Sequence, residues 1–247
     1  MSATFREGSF RDKAVLVSGG TSGIGAAIGD AFAELGASVT VTGATGAEAN
    51  AARERAGTRI QRATALDVRD GAAVVGFVSS LDKLDVLVNC AGIIRRGDEH
   101  DPAVFEEVLD VNLTGTMRLC TAVRPLLHVT RGSIVNTASM LAFLGGSLVP
   151  AYSASKGGVA QLTKSLASAY AAEGIRVNAI APGWIATALT RDLQNDPSRS
   201  QAILSRTPLA RWGEPDDVAG TVIFLCSAAA SFITGAIIPV DGGYLVA

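Results

Sequence analysis

The sequence predicts one doubly wound α/β domain, a seven-stranded parallel sheet with helices on both faces. Three observations predict it. Short β-branched runs alternate with longer Ala-rich stretches from end to end. Several of these runs, AVLVSGG and LDVLVNCAG among them, are apolar almost throughout and end in glycine. Strands covered on both faces have that pattern, whereas a strand with one wet face alternates. Finally, no linker or low-complexity segment interrupts the 247 residues, so a single domain is expected over 1–247.

The elements follow in order. Strands are expected at 14–18, 38–42, 60–66, 84–89, 133–137, 176–180 and 235–239. Helices are expected at 24–35, 47–56, 71–80, 104–127, 150–173 and 215–227. Pro150 suits a first helical turn, and Gly174 suits a helix end. The stretch 187–211 is long, polar and weakly periodic, and is expected to form a mobile flap. Gly157 and Gly158 fall inside a helix, where each glycine costs roughly 1 kcal/mol relative to Ala. They predict close packing there, against a neighbouring element or against the same helix of another subunit.

Composition narrows the functional classes. Hydrophobic residues make up 48% of the chain and charged residues 18%, a folding composition. The formal charge of −2 leaves no basic excess for a phosphate backbone, so no nucleic-acid partner is expected. The polar start, MSATFREGSFRDK, lacks an apolar signal core, and no apolar run reaches membrane-spanning length. Cys90, Cys120 and Cys226 are too few and too far apart for a disulfide framework or a zinc spacing. Free thiols, a cytoplasmic setting and no metal are expected. His100 and His128 are given no role.

The chemistry lies in two motifs. After the first strand comes Ser18-Gly19-Gly20-Thr21-Ser22-Gly23-Ile24-Gly25, with glycines spaced G-x-x-x-G-x-G where the helix begins. Such a turn lets backbone approach a pyrophosphate, which the helix N-terminus attracts. Further on, Tyr152 and Lys156 lie four residues apart, hence on one helix face. A nearby ammonium favours phenolate and is expected to lower the tyrosine pKa. The tyrosine can then exchange a proton with an alcohol or carbonyl.

Together these motifs resemble the short-chain dehydrogenase/reductase family over nearly the whole chain. The resemblance runs in order through the glycine turn, Asp67-Val68, Asn89-Cys90-Ala91-Gly92, Asn112, Ser139, Tyr152 with Lys156, Pro182-Gly183 and Asp241-Gly242-Gly243. Ser18 stands where the family usually has Thr, and Cys90 where it often has a second Asn. The resemblance implies a Rossmann-type fold and NAD(P)(H)-dependent oxidation of a secondary alcohol, or the reverse reduction. It implies Tyr152 as general acid/base, and Lys156 as its tuner and holder of the nicotinamide ribose. Ser139 would bind the substrate oxygen, and Asn112 would order a water that links Lys156 to solvent. The cofactor would be held by Ser18, Gly19, Thr21, Ser22, Gly23, Ile24, Gly25, Asp67, Val68, Asn89, Ala91, Gly92, Pro182, Gly183, Ile185 and Thr187, besides Tyr152 and Lys156. Family members are often tetramers, so a homotetramer or dimer is expected.

Cofactor choice turns on the end of the second strand, where an acidic residue would bind the ribose 2′-hydroxyl of NAD. Gly43, Ala44 and Thr45 stand there, with neither a carboxylate nor a cation. Ser22, another family position for a basic residue, is neutral. These positions neither repel nor grip a 2′-phosphate, and the choice between NAD and NADP stays open.

The substrate is open between two kinds. Ile93-Ile94-Arg95-Arg96, with Arg211-Trp212-Gly213, resembles sugar-acid dehydrogenases of the family, of the 2-deoxy-gluconate 3-dehydrogenase and gluconate 5-dehydrogenase type. An arginine there can grip a carboxylate. Met140, Leu141, Phe143 and Leu144, with Trp184, Ile185 and Leu189, favour an apolar ketone instead. Ile94, Arg95, Ser139, Leu141, Trp184 and Leu189 are the candidate substrate contacts. A 3-oxoacyl thioester reductase is a further alternative. A non-catalytic dinucleotide-binding protein would be expected to lack one of Ser139, Tyr152 or Lys156, and all three are present. A hydrolase built on Ser139 lacks a suitably placed His and acid.

Overall fold

The computed structural model describes residues 5–57 and 59–247. Seven parallel strands form one sheet: β1 (Ala14–Ser18), β2 (Ser38–Gly43), β3 (Arg62–Ala65), β4 (Val86–Asn89), β5 (Ser133–Thr137), β6 (Arg176–Pro182) and β7 (Ile237–Val240). Their order is β3-β2-β1-β4-β5-β6-β7. Chain direction across the sheet therefore reverses between β1 and β4, which pair from Val15↔Val86 to Ser18↔Asn89. A crevice opens beyond the carboxyl ends of the strands at such a switch point.

The apolar runs work as two-sided strands. Val15 and Val17 of β1, Val86 and Val88 of β4, and Val135 of β5 face one core. Leu16, Leu87 and Ile134, the alternate residues, face a second core on the other side. The first core takes Ile28 and Phe32 from α1 (Gly23–Glu34). It also covers α2 (Gly46–Ala56) through Ala52 and Ala56. The second core takes Val74 and Phe77 from α3 (Gly71–Ser79).

The expected helix over 104–127 is not one regular helix. α4 (Pro102–Leu109) runs into a π-helical segment, Asp110–Thr114, and then into α5 (Gly115–Thr130). An extra residue in a helical turn of this kind is often found at functional sites, and here the segment carries the buried Asn112. α6 (Pro150–Tyr170) follows β5, with Pro150 at its start as expected. The stretch expected to be a flap folds into a 3₁₀ turn, Ala188–Thr190, then α7 (Arg191–Asn195) and α8 (Pro197–Ser205). α9 (Pro215–Cys226) packs against α1 on the first face. Among the described residues, no helix is long and apolar enough to cross a membrane.

The paired glycines of α6 have separate explanations. A side chain at Gly158 would stand 2.8 Å from Leu113 Cδ2, so the helix gives way to a leucine of the π segment. Nothing lies within 4 Å of the equivalent point on Gly157. The close contact at Gly158 is thus with a neighbouring element, through a leucine side chain.

Candidate active site

A cleft of about 580 Å³ lies at the switch point, within the range of small-molecule and cofactor sites. Gly19, Thr21, Ser22, Gly23, Ile24 and Gly25 form one wall. Gly19 has φ +68°, and a side chain there would come within 2.5 Å of the Ala91 amide nitrogen. One at Gly25 would lie 2.3 Å from the Gly19 carbonyl oxygen. The turn can therefore close onto the sheet only with glycines at these places. Ser22 precedes α1 with extended backbone and makes no side-chain cap. The first N–H groups of α1 are left for an anion, and an elongated diphosphate fits this wall.

The floor and far walls come from loops after the other strands. Gly43 ends β2 and Ala44 follows it, Asp67 and Val68 follow β3, Ala91 and Gly92 follow β4, and Thr187 and Leu189 follow β6. Arg69 pairs with Asp67 at 2.7 Å and holds its carboxyl below the usual range. Arg95 also lines the cleft, and its guanidinium lies 3.4 Å from Glu107.

Tyr152 and Lys156 stand on the cleft-facing side of α6. Lys156 is 4% exposed, and its ammonium donates to the Thr137 carbonyl at 2.7 Å. It lies 5.4 Å from the Tyr152 ring centroid. Burial pushes its pKa down to about 8. The Tyr152 phenol is shifted upward, opposite to the expected direction. Burial is the main cause, the Glu99 carboxylate adds to it, and the Ser139 hydroxyl opposes it. Desolvation of the phenolate sets the direction.

Asn112 is fully buried, and its amide grips Ile93 twice. Its Oδ1 accepts from the Ile93 N–H at 2.8 Å, and its Nδ2 donates to the Ile93 carbonyl at 3.0 Å. The Nδ2 also donates to Ser155 Oγ at 3.0 Å. The residue thus ties the loop after β4 to α6. A side chain at Gly92 would stand 3.3 Å from Asn112 Oδ1 and 3.6 Å from Lys156 Nζ, so the two polar groups converge on one point beside the cleft.

Two acidic residues of this region were not singled out by the sequence. Glu99 is 1% exposed and lies in the loop after β4. Its carboxylate accepts from the N–H of Tyr152 at 2.7 Å and from the N–H of Arg95 at 2.8 Å. Val149, at the start of α6, offers no side-chain cap, so Glu99 supplies one from a distance. Glu48, in the first turn of α2, also lines the cleft. Its Oε2 accepts from the Ala44 N–H at 2.8 Å. An acidic residue near a helix start is an ordinary capping signal, and nothing local in the sequence sets either one apart.

Several expected contacts lie outside the lining of the cleft. Ser18 is buried within β1, where its hydroxyl has no partner among the described residues. Thr45 Oγ1 accepts from the Glu48 N–H as the cap of α2. Asn89 donates to Asn136 at 2.9 Å, and Asn136 to Thr163 at 3.0 Å, in a buried network between strands and α6. Pro182 and Gly183 pack beside β7, with the Gly183 N–H bonded to the Val240 carbonyl. Ile185 and Trp184 line a second cavity of about 530 Å³ beside β7. There Trp184 packs edge-on against Trp212 and Tyr244. Arg211 is held by Asp217 at 2.7 and 2.8 Å and faces the same second cavity. Ile94 and Leu141 are half-buried near the site without lining the cleft, and Arg96 is exposed outside it. Ser139 caps the 3₁₀ turn Met140–Ala142 beside the phenol.

Burial raises the thiol of Cys90 to about 11, that of Cys120 to about 12 and that of Cys226 to about 11. All three stay protonated at neutral pH. No cluster of metal-binding side chains occurs among the described residues.

The family model described as enoyl-(acyl carrier protein) reductase matches residues 19–245. The 2-dehydro-3-deoxy-D-gluconate 5-dehydrogenase of Bacillus subtilis (strain 168) is 43% identical over 245 residues, 96% of each chain. The cis-4-hydroxycyclohexanecarboxylate dehydrogenase of Sinomonas cyclohexanicum is 40% identical, over 96% of this chain and 98% of the relative. A crystal structure from Agrobacterium tumefaciens, provisionally named a 2-deoxy-D-gluconate 3-dehydrogenase and holding NADP, superposes with a TM-score of 0.85. It is 41% identical and covers 98% of this chain and 100% of its own. With the parallel sheet, the glycine turn and the Tyr152–Lys156 pair already in place, these matches establish that the chain belongs to the short-chain dehydrogenase/reductase family.

Proposed function

We propose that the protein is an NAD(P)(H)-dependent oxidoreductase that interconverts a secondary alcohol and a ketone on a hydroxylated carboxylic acid. The observation that carries the reading is the convergence of Tyr152, Ser139 and Lys156 beside a cleft walled by a glycine turn. The glycine turn and the start of α1 hold the diphosphate. Lys156, Gly92 and Thr187, which line the same cleft, would hold the nicotinamide half. The nicotinamide, when bound, supplies or accepts the hydride.

Tyr152 is the general acid/base. It gives its proton to a ketone oxygen during reduction and takes one from the alcohol during oxidation. Ser139 holds that oxygen beside the phenol. With the cleft filled, proton exchange would depend on Lys156, whose pKa of about 8 leaves the ammonium mostly protonated at neutral pH and able to release a proton. Asn112 holds the loop and α6 in register, and a water between Asn112 and Lys156 completes the route to solvent.

Two relatives support an acid substrate. Their names specify carboxylic acids that carry the reacting group away from the carboxylate. Arg95, in the cleft, meets that carboxylate, and Arg96 does not take part. A 3-oxoacyl thioester reductase is the second reading. It draws support from the exposed apolar side chains of Phe143, Leu144 and Leu148 in the loop before α6. The assembly is a homotetramer or dimer through α5 and α6, supported by the open space over Gly157, and light scattering on the purified chain tests it. A reducing, cytoplasmic setting is supported by three free thiols.

Initial rates on gluconate-type acids, cyclic hydroxy acids, apolar cyclic ketones and 3-oxoacyl thioesters test the reading. The acids are expected to turn over, and Arg95→Ala is expected to raise their KM with little change in kcat. Turnover of thioesters alone, unaffected by Arg95→Ala, would give the second reading.

A further inference from the structure

A side chain is missing at the end of β2, and another group fills its place. If Gly43 carried a Cβ, that atom would stand 2.7 Å from Glu48 Oε2 and 2.8 Å from Thr21 Oγ1. The Glu48 carboxylate therefore occupies the volume into which an acidic side chain at position 43 would project. It arrives from the first turn of α2, five residues later. It is fixed there by the Ala44 N–H at 2.8 Å, while Thr45 caps the Glu48 amide at 3.2 Å. Glu48, Gly43, Thr21 and Ala44 all line the same rim of the cleft.

The charges around that rim carry one sign. Thr21, Ser22, Ala44 and Thr45 are neutral. Of the cations that line the cleft, Arg69 pairs with Asp67 and Lys156 donates to the Thr137 carbonyl, while Arg95 lies beside Glu107 and is assigned to the substrate carboxylate. A carboxylate accepts hydrogen bonds from a ribose diol and repels a phosphate on the same carbon.

We infer that Glu48 is the residue that selects NAD(H) over NADP(H), as a carboxylate delivered by α2 to the site where β2 supplies none. This inference rests on the proposed dinucleotide-binding function. Gly43 is then a requirement of the arrangement, since any side chain there would displace both Glu48 and Thr21.

The test is direct binding, without turnover. NADH and NADPH are titrated into the full chain, and the dissociation constants are read from nucleotide fluorescence. NADH is expected to bind more tightly, by a factor on the order of 10 to 100 if one charge-assisted hydrogen bond decides the choice. Glu48→Gln keeps an acceptor for the Ala44 N–H and removes the charge, so the preference is expected to collapse by about tenfold or more. Glu48→Lys is expected to reverse it. A circular dichroism spectrum and melting temperature matching wild type show that each variant is folded. Equal affinities in the wild type overturn the inference, as does a ratio unchanged in folded Glu48→Gln and Glu48→Lys. In both cases the dinucleotide function stands. Failure of both nucleotides to bind the wild type overturns that function and the inference with it.

Discussion

Replacing Glu99 is expected to damage stability and catalysis in separable ways. Its carboxylate is 1% exposed and accepts two backbone N–H groups, those of Tyr152 and Arg95. Glu99→Ala would leave both donors without this carboxylate partner. A hydrogen bond to a charged group is worth roughly 1.5–3 kcal/mol, so two lost bonds cost about 3–6 kcal/mol. Partial relaxation and water entry favour the lower end, about 3 kcal/mol. For a chain of this size that corresponds to a fall in Tm of roughly 6–12 °C. Glu99→Gln keeps one acceptor but turns an NH₂ group toward the other donor, and is expected to cost about half as much. The charge matters separately, because it helps hold the phenol of Tyr152 upward. Without it, the ascending limb of the oxidation profile, which reports phenolate formation, should move to lower pH. The assay pairs thermal melts with the pH dependence of kcat for alcohol oxidation. A Tm of Glu99→Ala within about 1 °C of wild type would refute the capping argument. An unmoved limb in folded Glu99→Gln would refute the electrostatic one.

Tyr152→Phe removes the proton donor and keeps the ring, so kcat should fall by about 10²–10⁴-fold while the NADH dissociation constant changes little. Full turnover in this variant would remove Tyr152 from the chemistry. Lys156 has a folded pKa of about 8, below that of a free lysine, so between those values the unfolded chain binds more protons than the folded one. Stability should therefore rise with pH from about 8 to about 10.5, and the penalty of a buried ammonium is fully present below pH 8. Lys156→Met should accordingly be more stable than wild type at pH 7 by up to a few kcal/mol, with the gap closing by about pH 10.5, in urea melts across that range. Gly158→Ala would overpack Leu113 and cost about 1–3 kcal/mol. Leu113→Ala should relieve that cost, giving a double mutant less damaged than the sum of the singles.

Much of the frame is legible in the sequence because its causes are local. AVLVS and VLVN read as two-sided strands because each residue is buried on one face or the other. The glycine spacing fixes the turn because backbone passes where a Cβ would stand. The illegible parts are those set by distance. The stretch 104–127 reads as one helix because the sequence on both sides of the π segment is helical, and a single extra residue between them carries no local mark. Glu99 sits in a polar run, GDEHD, and only the tertiary path brings it beneath α6. Glu48 reads as a capping residue, which it also neighbours, and its second position depends on Gly43 having no side chain. Asn89 belongs to a motif that predicts a cofactor contact, yet β5 and α6 supply closer partners.

The wide turn at Asp110–Thr114 also sets a phase. A regular α-helix advances about 100° per residue, so one extra residue rotates everything after it by roughly that angle. α4 and α5 thus behave as two splines on one shaft, cut with different indexing. Deleting a single residue from this turn would leave the composition almost unchanged and preserve both helices. It would swing Leu119, Val123 and Leu127 out of the second core and carry Asn112 away from Ile93. Tolerance to length change along this chain should therefore be lowest at the one place where its longest helical run departs from the regular repeat.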